Sequence, residues 1–182
     1  MNNYHIKIFT DCLDRLSEFL EKIKSCTGGD PSILEARLAD DMFPLVIQVQ
    51  IAADFSLRSC CPIANVDIVS FENENRSFSG IQSQLKQTVE FLRNLDVKEY
   101  DLSTGQVSDI AGAAKISLLT SEFLHQFALP NFFFHVSTVW CMPSQGSMVY
   151  RQQRVTLMVF TSIQLDFLSK SENRVASKSV RS

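Results

Sequence analysis

The chain has 182 residues, 45% of them hydrophobic, which fits one domain with a sizeable core and room for a tail. Its 17 basic and 20 acidic side chains leave a net charge of -3, so no excess of positive charge draws it to nucleic acid. No basic residues precede an apolar run in Met1–Thr10, and the longest apolar run, Val155–Leu168, is interrupted by Thr, Ser, Gln and Asp; neither a secretory signal nor a membrane span is expected.

Five cysteines (Cys12, Cys26, Cys60, Cys61 and Cys141) make an odd number without paired metal-ligand spacing. They read as reduced thiols, and with them goes a cytoplasmic location. Cys60 and Cys61 are adjacent, and neighbouring helical side chains point about 100° apart, which disfavours a bridge. Asn75-Arg76-Ser77 matches a glycosylation acceptor but, without a secretory route, is a chance match. Charge is unevenly spread: residues 1–142 are acidic on balance and residues 143–182 basic.

In chain order, the first helix is expected from Ile6 to Cys26, where Phe9, Leu13, Leu16, Leu20 and Ile23 recur at three-and-four spacing. Gly28-Gly29 end it, and Asp30-Pro31 starts a short helix reaching Arg37. The second long helix is placed at Met42–Cys61, capped by Asp41, with Pro44 in its first turn and Pro62 closing it. The third spans Phe78–Leu95, with Phe78, Ile81, Leu85, Val89 and Leu92 as its apolar stripe.

From Tyr100 to Leu118 the helical period is lost, and a loop or small hairpin is expected. Thr120 is expected to cap a fourth helix running to about Trp140, kinked at Pro130. Four long segments with one apolar face each bury those faces most simply as an all-α, antiparallel four-helix bundle.

Polar residues that face inward mark where a site would lie. On the second helix Leu45, Val49, Ala52 and Ser56 share a side with Gln48, while Gln50, Asp54 and Arg58 take the wetter side. On the fourth, Leu124, Ala128, His135 and Val139 point inward, flanked by Asn131 and Thr138. Asn131 and His135 are four residues apart, one above the other. His125 falls about 80° from His135 on an ideal helix.

An inward imidazole can be tuned for acid–base work, or it can simply bond Asn131, Gln48 or a buried water. Phe132, Phe133 and Phe134 span about 200° of the helix, so one of them must meet either another part of the chain or another subunit.

The run Arg37-Leu38-Ala39-Asp40-Asp41-Met42-Phe43-Pro44, continuing through Gln48-Val49-Gln50-Ile51-Ala52, resembles a known but uncharacterised family. Ser70-Phe71-Glu72 and Phe127-Ala128-Leu129-Pro130-Asn131-Phe132-Phe133-Phe134-His135-Val136 carry the same likeness. It is the domain-of-unknown-function family numbered nineteen ninety-three, a branch of the DinB/YfiT-like four-helix proteins. The resemblance covers about Tyr4 to Trp140 and implies a DinB-like bundle over residues 4–140, a long crossover connection and often a homodimer. It brings no known reaction.

Many DinB-like proteins hold a divalent metal through one histidine on helix two and a His-x-x-x-His pair on helix four. Here the pair reads Asn131-Phe132-Phe133-Phe134-His135, and helix two has Gln48 and Gln50 but no histidine. A neutral amide is a poor substitute for imidazole on zinc, so the three-histidine site is expected to be absent, and no cofactor is expected. After Trp140 the likeness stops: Pro143 and Gly146 break the helix, and residues 141–182 read as a divergent tail, disordered over Arg174–Ser182, from an altered gene model or splice form.

These residues leave three functions open. The first is a non-catalytic module that binds a small molecule or a protein partner, with Gln48, Asn131, His135 and His125 as its binding residues. The second is a metal-dependent hydrolase or transferase using His135 with His125. The third is a metal-free enzyme in which His135 is a general base oriented by Asn131 or Gln48.

Overall fold

A computed structural model describes residues 4–72, 74–96, 105–111 and 114–142. The expectations for residues 143–182, including the disordered end, lie outside the described residues.

Helix α1 spans Tyr4–Cys26 and buries the whole stripe from Phe9 to Ile23. It ends where two glycines take the left-handed conformation, Gly28 at φ 63° and Gly29 at φ 82°. That turn aims the Gly29 N–H at the Lys24 carbonyl, 2.8 Å away, and so satisfies one of the last orphan acceptors. The Asp30 carboxylate then accepts from the Ser32 N–H at 2.9 Å and caps a short 3-10 turn, Pro31–Glu35. This turn stops before Arg37 because Ala36 is extended, and its carbonyl accepts from the Leu45 N–H at 2.9 Å.

Helix α2 is Leu45–Ile63, shifted from the expected Met42–Cys61 at both ends. Residues before a proline are pushed out of the helical region, so the helix begins only after Pro44. Pro44 is itself the extended N-cap (ψ 161°), and Asp41 does not cap. At the far end the missing N–H of Pro62 is tolerated within the last turn. Asn65, left-handed at φ 55°, closes the helix, with Asn65 N–H on Pro62 O and Val66 N–H on Cys61 O. α2 is buried nearly all round, and Gln50, expected on the wetter side, is buried with Gln48.

Helix α3, Phe78–Arg93, is capped by Ser77, whose hydroxyl accepts from the Gly80 N–H at 3.2 Å. Strands β1 (Gln106–Ala111) and β2 (Ala114–Leu119) form an antiparallel hairpin with Val107 opposite Leu118 and Asp109 opposite Ile116. Val107 packs on Phe123 and Ala128, with Ile116, Leu118 and Phe127 alongside. Arg58 and Asp109 pair at 2.6 Å and tie the hairpin to α2.

The chain then runs through α4 (Thr120–Glu122), a π-helical turn (Phe123–Ala128) and α5 (Leu129–Cys141), with helical dihedrals at both junctions. Thr120 is the first helical residue and not the cap: its N–H closes the hairpin on Gly105 O at 2.8 Å, and Leu119 takes the cap position.

Contacts between helices give the directions. Asp14 pairs with Arg93, and Glu21 with Gln82, so α1 and α3 run antiparallel. Gln48 meets His135 and Phe55 meets Phe127, so α2 and the final helix are antiparallel as well. Phe9 lies on Phe132 and Phe19 on Trp140, which makes α1 and the final helix parallel. α2 and α3 are therefore parallel, and the connection between them must cross back along the bundle.

A β-carbon at Gly80 would stand 1.8 Å from the Asn75 backbone oxygen. Backbone cannot rotate aside, so Gly80→Ala is expected to lower stability by about 1–3 kcal/mol. Urea unfolding checks this, and an unchanged midpoint would contradict the close approach.

Candidate functional site

Pro130 sets the geometry of the final helix. It has no N–H for the carbonyl four residues back, and its ring crowds that carbonyl. The expected disturbance takes the form of the π-helical turn, in which the Leu129 N–H bonds to Leu124 O, five residues back. One extra residue in a turn rotates the N-terminal part of the helix by about 100° relative to the C-terminal part. The ideal separation of His125 and His135, about 80°, therefore opens to about 180°.

His135 points inward from α5 onto α2. Its Nδ1 lies 2.5 Å from Gln48 Oε1. The amide orientation is set by its other end, because Gln48 Nε2 donates to the Phe43 carbonyl at 3.3 Å; reversing the amide would set two oxygens against each other. His135 Nδ1 is thus the protonated nitrogen, and Nε2 carries the lone pair. The Phe55 ring stacks on the imidazole with centroids 5.8 Å apart and planes at 22°. Burial lowers the His135 pKa to about 4, so the ring is neutral at pH 7.

The other expected residues lie elsewhere. Asn131 Nδ2 donates to Phe127 O at 2.6 Å, on its own helix, and makes no described bond to His135. His125 is exposed, bonds Ser121 O through Nδ1 at 2.8 Å, and faces His5 with ring centroids 5.8 Å apart. Of the three phenylalanines, Phe132 is fully buried and Phe134 is 54% exposed.

Sequence reasoning misses Phe55 and His5. Helical spacing does put Phe55 seven residues from Gln48, on the same face, but nothing local marks it as the imidazole's stacking partner. Phe55 is also covered by the Arg58 guanidinium at 4.7 Å, so the hairpin's ion pair reaches the histidine through one aromatic ring.

The residues at this position fit a three-imidazole metal site poorly. They offer one imidazole and two amides, and both amides are committed to protein partners. Among the described residues no group of three or more His, Cys, Asp or Glu could hold a metal ion. Likewise, no helix among them is long and apolar enough to cross a membrane.

A family model described as a domain of unknown function (DUF1993) matches residues 1–143. The chain belongs to the DUF1993 family. No curated protein matches it. Among solved structures it is similar to a DinB family member protein from Shewanella denitrificans, with a TM-score of 0.63 and 21% identity over 84% of this chain and 94% of that one. At that identity the likeness shows the fold, so this DUF1993 chain is a DinB-like helical bundle carrying a small hairpin.

The His135 pKa gives a pH signature. Between about pH 6.5 and 4 the unfolded chain binds a proton that the folded His135 does not, so stability falls as pH drops through that window. The loss is at most about 3 kcal/mol. His5, also lowered by burial and then by His125, adds to the same slope. Urea unfolding at pH 7 and 4.5 should show a smaller difference in His135→Gln than in the parent; equal differences would contradict the burial of a neutral His135.

Proposed function

We propose that this DUF1993 protein is a non-catalytic module that binds a small molecule beside His135, in place of the metal held by many DinB-like bundles. The observation that carries this reading is the Gln48–His135 hydrogen bond. A carboxylate behind an imidazole stabilises the imidazolium that general-base catalysis creates, whereas a neutral amide only orients the ring. A proton affinity as low as that of His135 further weakens it as a base. There remains a fixed lone pair on Nε2 beside an aromatic wall, which suits recognition of a neutral ligand with one hydrogen-bond donor.

The proposal includes a cytoplasmic homodimer. The exposed Phe134 and Phe43, at 54% and 56%, supply apolar surface of the kind that a subunit contact covers.

A thermal-shift screen of the untagged protein against small metabolites tests the reading. The expected result is a stabilising ligand whose affinity falls at least tenfold in His135→Ala and in Gln48→Leu. Stoichiometric metal that disappears with His135→Ala, or turnover of a hydrolase substrate that does so, would overturn it.

A further inference from the structure

His5 and His125 come from opposite ends of the bundle sequence and meet at one end of the bundle, away from His135. His5 sits in the first turn of α1 and His125 in the π-helical turn. Their ring centroids are 5.8 Å apart with planes at 77°. Two imidazoles bound to one ion through nitrogens at about 2.0–2.1 Å have centroids about 4.5–6 Å apart, depending on the angle at the metal. The observed spacing falls inside that range.

Two further observations point to a ligand. His125 spends its Nδ1–H on the Ser121 carbonyl, which fixes the tautomer and leaves the lone pair on Nε2 of an exposed ring. A backbone carbonyl behind the ring is the usual outer partner of a metal-ligating histidine. His5 Nδ1 is buried with no hydrogen-bond partner, and a ring nitrogen in that state calls for one.

We propose that His5 and His125 form a two-imidazole site for a divalent transition-metal ion. Imidazole nitrogens favour copper, nickel and zinc over magnesium and calcium. No third His, Cys, Asp or Glu among the described residues completes a set with them, so water fills the remaining positions and the ion is held less tightly than in a closed structural site. The proposal is independent of the ligand reading at His135, from which it differs in residues and in position.

The test uses the full-length, untagged chain with Cys26→Ser and Cys141→Ser, because both thiols are exposed and would compete for the ion. Copper(II) chloride is titrated in and monitored by calorimetry and by electron paramagnetic resonance. The expected result is one ion per chain with hyperfine structure from two imidazole nitrogens. Affinity should fall at least tenfold in His5→Ala and in His125→Ala and stay unchanged in His135→Gln. The spectrum with both histidines intact does not depend on how those variants fold. Lack of a two-nitrogen signature, affinity indifferent to both substitutions, or binding lost only with His135→Gln would each overturn the proposal.

Discussion

Pro130 withholds one backbone hydrogen and fills the space where a carbonyl would sit. A helix that must continue through such a residue needs slack, and the five-residue bond from Leu129 to Leu124 supplies it. Everything N-terminal to that bond is turned relative to everything C-terminal. Phe123 and Ala128 thereby stay on the hairpin, Phe132 and His135 stay in the bundle, and His125 swings to α1. One missing N–H thus gives the final helix separate partners before and after it. The π-turn is a coordinated feature of the fold, since the hairpin is packed on its Phe123 and Phe127 side chains.

Helix α2 is the other organising element, because nearly all of its surface is covered. A helix in that position cannot direct its polar groups to water and must satisfy them internally. Ser56 and Ser59 do so by bonding back to Ala53 O and Phe55 O on their own helix. Gln48 does so across the bundle, with one end on His135 and the other on Phe43 O. Leaving either partner of such a buried bond unpaired costs about 1–3 kcal/mol, which is more than the bond contributes in net terms. The pair is therefore a register pin between α2 and α5: sliding one helix along the other strands both groups.

The long helices and the inward direction of Gln48 and His135 are legible in the sequence, because burial of a stripe imposes its period on the residues directly. Phe9 through Ile23 and Phe78 through Leu92 are such stripes, and both are buried as their spacing requires. The hairpin is legible only as a loss of period. Prolines are harder to read. Pro44 excludes its predecessor from the helix and Pro62 is tolerated in a last turn, so one displaces a boundary and the other fails to make one. The site is half legible for the same reason. An ideal wheel through Pro130 cannot include the extra residue of the π-turn, so it leaves His125 too near His135 and hides the approach to His5, at the far end of the bundle sequence. Asn131 shares a face with His135 as expected, but the nearest acceptor for its amide is the Phe127 carbonyl within its own helix.

The stacking of Phe55 on His135 bears on what this face can do. An imidazolium gains from an aromatic face and from any carboxylate in reach, and it loses from burial. Here the aromatic face is shared, since Arg58 lies over Phe55 and is itself paired with Asp109. The Asp109 carboxylate is paired with that same guanidinium. A proton arriving at His135 would therefore meet a neutral amide, a ring already polarised by a guanidinium, and a desolvation cost. Burial is the term that holds the ring in its neutral form. A side chain held neutral in this way contributes a directed lone pair without competing for protons.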